Sequence, residues 1–133
     1  MNLVFLDTVG LLALWDESDQ WHDAASAAMA KLTTSGAISL TTTYVLLECG
    51  NSAARRPYRS AVERLRVALE AAHALIQPSA DDWELAWEAY NRGDGAGAGI
   101  VDQFSFVVMR RLGIAQTFTN DKHFEAAGFE SLF

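Results

Sequence analysis

Residues 1–10 read Met1-Asn2-Leu3-Val4-Phe5-Leu6-Asp7-Thr8-Val9-Gly10, four apolar residues running straight into an aspartate. An apolar run such as Leu3 to Leu6, without polar alternation, is the pattern of a strand buried on both faces. Such strands belong to parallel sheets covered by helices, and those sheets bind ligands just beyond the carboxyl ends of their strands. The charge at position 7 would then stand at the mouth of a crevice. Taken alone, Asp7 fits a turn or the cap of the next helix equally well.

The rest of the chain alternates between strand and helix. After a short apolar turn over residues 9–14, Trp21, Ala24, Ala25, Ala28, Met29 and Leu32 recur at helical spacing, which predicts a helix over residues 19–32 ended by Gly36. Residues 37–41 read as a second strand, and Thr42 or Thr43 can cap a helix running to about residue 54. Pro57 suits the first turn of a further helix, with Tyr58, Ala61, Val62, Leu65, Leu69 and Ala72 as its buried stripe. Residues 74–77 form a short strand stopped by Pro78. Ser79 with Asp82 then resembles a capping box, opening a helix with Trp83, Ala86, Trp87 and Tyr90 on one face. Gly93 to Gly99 is a flexible, glycine-rich loop. Val101, Phe104, Ser105, Val108, Met109 and Leu112 mark a helix closed by Gly113, followed by a strand over 114–119 and a final short helix over 123–127. Alternation of this kind predicts an α/β fold, a three-layer α/β/α sandwich around a mainly parallel sheet of four to five strands. No repeat or linker divides it, so residues 1–133 are expected to form one domain.

Composition narrows the chemistry. Half of the 133 residues are hydrophobic and a fifth are charged, which suits a soluble globule. No apolar run approaches the roughly 20 residues that span a bilayer. The N-terminal stretch has neither the basic region nor the cleavage site of a signal peptide. The single cysteine, Cys49, excludes an intramolecular disulfide and fits a reducing cytoplasm. No Cys/His cluster has zinc spacing. The net charge of −7 argues against passive binding of nucleic acid, but not against nucleic acid as a substrate where metal ions neutralise acidic surface. Five of the ten basic residues (Arg55, Arg56, Arg59, Arg64 and Arg66) fall within one short stretch.

The acids gain meaning once placed on this frame. Asp7 follows the first strand, and Asp121 follows the last with Asn120 before it. Glu48 lies one to two turns into the helix after the second strand, among Val45-Leu46-Leu47-Glu48-Cys49. Asp102 lies in the first turn of the helix after the glycine loop. In a parallel sheet, strand C-termini and the N-termini of the following helices meet at one edge, so these four carboxylates are expected to converge. Each has an ordinary explanation: Asp102, for instance, gains about 0.3–1 kcal/mol from its helix macrodipole. Glu48 is harder to explain so, because glutamate is rarely buried without a partner. Clustered carboxylates raise one another's pKa unless a positive charge sits among them. With no lysine or arginine next to Asp7, Glu48 or Asp102, and only Lys122 beside Asp121, a divalent cation is the natural neutraliser. All-oxygen ligation suits Mg²⁺ or Mn²⁺ and points to phosphoryl chemistry.

Four segments carry a family resemblance: Phe5-Leu6-Asp7-Thr8, Glu48 in a helix after a short strand, residues Val101-Asp102-Gln103-Phe104-Ser105-Phe106-Val107-Val108-Met109, and residues Phe118-Thr119-Asn120-Asp121-Lys122-His123-Phe124-Glu125-Ala126-Ala127-Gly128-Phe129. In this order and at this length, the whole chain resembles a PIN-domain nuclease, and within that superfamily the VapC-like toxins of toxin–antitoxin pairs. The resemblance implies a metal-dependent endoribonuclease with Asp7, Glu48, Asp102 and Asp121 as catalytic, metal-holding acids. It also implies an RNA substrate, an antitoxin partner and a place in the cytoplasm. Two positions depart from the pattern: Val9 stands where a small polar residue is common, and Gly99 where a serine often caps the helix.

Secondary candidates follow from position. Thr8 and Thr119 could orient a metal-bound water or a carboxylate, with simple turn roles as the competing explanation; Asn120 has the same standing. Arg55, Arg56 and Arg59 could hold RNA phosphates near the metal, against a solvated face. Asp94 is expected to be solvated, and His22, His73 and His123 to be structural. Trp83, Trp87 and Tyr90 read as a core or interface stripe, which points to a homodimer. A phosphatase of the haloacid-dehalogenase type would want a second acid at position 9, where valine stands, and a receiver domain would want an acidic pair near Asn2. A PIN-like binding or scaffold module without catalysis is the remaining alternative. Metal-dependent cleavage of RNA separates it from the enzyme.

Overall fold

The computed structural model describes residues 2–133. Five strands, β1 (Leu3–Leu6), β2 (Ile38–Thr42), β3 (Leu75–Ile76), β4 (Gln116–Phe118) and β5 (Glu130–Ser131), form a sheet in the order β3-β2-β1-β4-β5. Every neighbouring pair is parallel. Parallel neighbours need crossovers, which the helices supply. These are α1 (Thr8–Trp15), α2 (His22–Ser35), α3 (Thr43–Ala53), α4 (Arg59–Ala71), α5 (Ala80–Arg92), the single turn α6 (Asp94–Gly97), α7 (Ile100–Leu112) and α8 (Lys122–Ala126). The three-layer α/β/α expectation therefore holds, with five strands.

The central strand is β1, where Val4, Phe5 and Leu6 are buried as a doubly covered strand requires. Leu3 pairs with Ile38 on one side, and Leu6 pairs with Phe118 on the other. Phe106, Phe118 and Phe124 complete the core, with Phe106 and Phe124 meeting edge to face. The capping box at Ser79 and Asp82 forms as expected. The buried Asp82 carboxylate also takes two bonds from Arg111, at 3.0 and 2.8 Å, tying the start of α5 to the end of α7.

Four local expectations change. Residues 9–14 are not a turn but most of helix α1, which Asp7 caps by accepting from the Val9 N–H. The next helix begins at His22 rather than Asp19, because Asp16 and Asp19 turn their carboxylates onto the N–H groups of Ser18 and Trp21. Pro57 lies before α4 rather than in its first turn, and the helix starts at Arg59. The glycine stretch is not a loose loop. Gly95, Ala96 and Gly97 take left-handed backbone angles, and the buried Gln103 side chain donates to the carbonyl oxygens of Asp94 (2.8 Å) and Ala98 (3.3 Å).

Gly10 was not singled out by the sequence, yet α1 can lie where it does only because this residue has no side chain. A Cβ there would sit 2.1 Å from the Phe118 carbonyl oxygen. The neighbour is strand backbone, which cannot step aside. Gly10→Ala is accordingly expected to destabilise the fold by about 1–3 kcal/mol or more, as overpacking does. A lowered midpoint of denaturant unfolding with unchanged slope is the check; an unchanged midpoint would mean that α1 and β4 can separate freely.

Candidate active site

Sheet order decides which chain segments meet. With β2, β1 and β4 adjacent, the elements that follow them (α3, α1 and α8) start at the same edge, and α7 arrives there from the glycine turn. Asp7 ends β1 and caps α1. Asp121 caps α8, accepting from the His123 N–H at 2.9 Å. Asp102 lies in the first turn of α7. Glu48 projects from the middle of α3. Two of the four acids thus also serve as helix caps, so the structural and chemical explanations of Asp7 and Asp121 coexist.

Two threonines hold two of the carboxylates. Thr119 donates its hydroxyl to Asp7 Oδ2 at 2.9 Å, a contact between residues 112 positions apart, and accepts the Asp121 N–H at 3.1 Å. Thr8 donates to Glu48 Oε1 at 2.7 Å. Asn120 is half-buried and stands outside this network. Asp102, Asp121 and His123 offer donor atoms that all lie within 4.8 Å of one another, a set able to hold a cation. Asp7 and Glu48 stay outside that grouping, although the charges of Asp102 and Asp121 both act on Asp7 and that of Glu48 acts on Asp102.

The electrostatics are those of an uncompensated cluster. Burial, then the neighbouring charge of Asp102, pushes the Asp7 carboxyl up to about 8 against the Thr119 hydrogen bond, which favours ionisation. Burial, then Asp121 and Glu48, pushes Asp102 up to about 6. The one positive influence on Asp102 is His123, and no lysine or arginine charge acts on either group. Beside them the buried Cys49 thiol is pushed up to about 12, first by burial and then by Asp7 and Glu48, which leaves it unreactive.

Two residues at this edge escaped the sequence reading. His123, expected to be structural, brings Nδ1 within 2.7 Å of Asp121 Oδ1. Its i, i+2 spacing from Asp121 at the start of a short helix was the available signal. Gln103, next to Asp102, fixes the approach to α7. The side-chain nitrogen of this fully buried glutamine, within Asp102-Gln103-Phe104-Ser105-Phe106, finds backbone carbonyls, while its Oε1 is left without a partner. Gly99 caps α7 without a side-chain bond, so this anchor stands in for the missing serine.

The arginines lie elsewhere. Arg56 pairs with Asp16 at 3.1 Å and lies over the Tyr58 ring, while Arg59 donates to the Ala54 carbonyl. Arg56 lines a groove of about 570 Å³ with Trp15, Asp16, Tyr58 and Arg64. Asp16 ends the eight-residue helix that Asp7 begins. At 1.5 Å per residue this separates the groove from Asp7 by about 12 Å. Arg56, through its pairing with Asp16, is thus held about one helix length from Asp7. Asp94 is half-exposed and pairs with Arg92. Trp83 and Tyr90 are largely exposed, and with Trp87 they form a run of edge-to-face rings.

Unfolded aspartate ionises near pH 3.9, whereas folded Asp102 and Asp7 hold their protons to about 6 and about 8. Between those values the folded state binds more protons than the unfolded, so stability falls as pH rises. Metal-free wild type is expected to lose melting temperature from pH 4 to 8 more steeply than Asp102→Asn, and the substituted protein to be at least as stable at pH 8. Mn²⁺ is expected to stabilise wild type by about 2.7 kcal/mol at a hundredfold excess over its dissociation constant, and Asp102→Asn much less. Equal shifts in both proteins would remove Asp102 from the cation's donors.

Comparison with known proteins agrees with this architecture. The family model described as PIN domain matches residues 4–130. The 23S rRNA-specific endonuclease VapC20 of Mycobacterium tuberculosis, in two strains, is 33% identical over 128 residues, covering 96% of this chain and 95% of that one. The crystal structure of the same M. tuberculosis protein, described as a sarcin–ricin loop cleaving toxin, superposes with a TM-score of 0.82 at 30% identity, covering 95% of each chain. A match across nearly the whole length, on a parallel sheet, places this chain in the PIN-domain family.

Proposed function

We propose that this protein is a metal-dependent endoribonuclease that hydrolyses RNA phosphodiester bonds and serves as the toxin of a toxin–antitoxin pair. One observation carries the chemistry: Asp7 and Asp102 lie together in a cluster whose mutual repulsion no lysine or arginine relieves. A group of acids left in that condition fits a divalent cation, and the oxygen-rich donor set suits Mg²⁺ or Mn²⁺. Asp7, Glu48, Asp102 and Asp121 are the residues that would hold it. Such an ion, when bound, supplies a more acidic water and stabilises charge on the phosphate and the leaving oxygen.

The protein's own part is to keep those oxygens in place. Thr119 fixes one oxygen of Asp7 and the backbone of Asp121 at once, so two acids from opposite ends of the chain move as one. Thr8 does the same for Glu48 across α1 and α3. Burial of Asp7 keeps bulk water from screening the site. Arg55, Arg56 and Arg59 would meet phosphates upstream or downstream of the scissile bond, given the distance along α1 from Asp7.

The partners follow from charge and surface. An antitoxin that blocks this edge would present a cationic segment to the carboxylates. The exposed Trp83, Leu85 and Tyr90 of α5 would be covered in a homodimer. No helix among the described residues is long and apolar enough to cross a membrane, and action in the cytoplasm, where RNA is met, fits this reading. The likeness to VapC20 makes 23S rRNA the first substrate to test.

Cleavage of purified ribosomes or 23S rRNA, followed by mapping of the new ends, is the deciding experiment. Wild type with Mg²⁺ or Mn²⁺ is expected to cut at a defined site and to stop when EDTA is added. Asp7→Asn is expected to lose more than about a hundredfold in rate, beyond what loss of an outer-shell partner costs a metal site. Activity that survives EDTA would overturn the metal mechanism. A folded wild type that binds the RNA and never cuts it would favour a binding module.

A further inference from the structure

His123 belongs to α8, and its backbone N–H already caps that helix through Asp121 Oδ1 at 2.9 Å. The imidazole is not needed for the cap, yet Nδ1 approaches the same oxygen at 2.7 Å. This leaves Asp121 Oδ2 outside both bonds. If the proton sits on Nε2, Nδ1 and the Asp121 carboxylate face each other as two acceptors 2.7 Å apart, and a cation can take both lone pairs. The Nε2–H then faces away from Asp121, free for a second partner. The ring is 41% exposed and can be reached from solvent. Across the cluster, Asp102 accepts no hydrogen bond that would compete for its oxygens.

We propose that His123 is itself a donor to the cation held at this edge, completing an Asp102–Asp121–His123 set that selects Mn²⁺ over Mg²⁺. The proposal rests on the metal-dependent reading above and names a residue and a preference that the four acids alone do not. The donor atoms lie within 4.8 Å of one another. Ligands about 2.1 Å from an ion stand about 3 Å apart when adjacent and about 4.2 Å apart when opposite, so the three side chains draw together to share one ion. The choice of ion follows from the donor types. Carboxylates and water serve Mg²⁺ and Mn²⁺ alike, whereas imidazole suits the transition ions and offers little to Mg²⁺. Replacing one oxygen by nitrogen therefore tilts the site toward Mn²⁺.

Pulsed electron paramagnetic resonance on the intact protein loaded with Mn²⁺ alone tests this without any RNA. Wild type is expected to show ¹⁴N modulation from a directly coordinated imidazole, which His123→Gln abolishes and His22→Gln leaves in place. In a binding titration, His123→Gln is expected to weaken Mn²⁺ about tenfold or more and to leave Mg²⁺ affinity nearly unchanged. Mn²⁺ bound by wild type without nitrogen modulation overturns direct ligation, whether or not the substitution weakens binding, and leaves the carboxylate site standing. Wild type that takes up no Mn²⁺ at all overturns the metal reading and this proposal together. The wild-type spectrum alone decides if the substituted protein fails to fold.

Discussion

The parallel pairing of β1 between β2 and β4 is the constraint on which the acidic edge depends. It ends three strands at one side of the sheet and sets Leu6 against Phe118, so that Asp7 and Thr119 emerge side by side. The hydrogen bond between them closes a separation of 112 residues. Gly10 permits the approach, because any side chain there would strike the carbonyl oxygen of Phe118. A packing demand in the first turn of α1 is thereby a condition for the chemistry one turn away. Loss of the contact would release Asp7 and, through the Thr119 hydroxyl, the start of α8 as well.

Gathering carboxylates is unfavourable in itself, and the structure offsets only part of the repulsion. Three helices, α1, α7 and α8, begin at this edge, and Asp7, Asp102 and Asp121 lie at or within their first turns. The partial positive charge of a helix N-terminus stabilises an anion by a few tenths to about 1 kcal/mol. That is too little against burial, which leaves Asp7 raised to about 8 and Asp102 to about 6. Capping and clustering are therefore one design: the helix ends make the acids tolerable, and the residual repulsion prepares the site for a cation. Elsewhere the same chemistry is satisfied within the protein, as at Asp82, where Arg111 and the Ser79 N–H take the charge.

Much of this was legible in the sequence because it depends on local pattern. The unbroken Leu3–Leu6 run announced a doubly buried strand, Ser79 and Asp82 announced a capping box, and Gly36 and Gly113 announced left-handed helix ends. Strand and helix alternation implied a parallel sheet, from which the convergence of Asp7, Glu48, Asp102 and Asp121 followed. Helix α1 was hidden, since eight residues that are nearly all apolar carry no periodicity to read. Composition makes the glycine stretch look loose, because it cannot reveal an anchor supplied by Gln103 from the next helix. The two-residue strand β5 is too short for any sequence pattern.

What the sequence determined by itself is the fold class and the identity of the acids, because hydrophobic period, caps and breakers act over a few residues. Tertiary structure alone decided which donors accompany those acids. It brought Thr119 to Asp7, Thr8 to Glu48 and the imidazole of His123 to the Asp102–Asp121 pair. It also set Arg56 against Asp16, about 12 Å along α1 from Asp7. Distances between side chains on different elements are set by sheet order, register and helix packing, and these are properties of the whole chain.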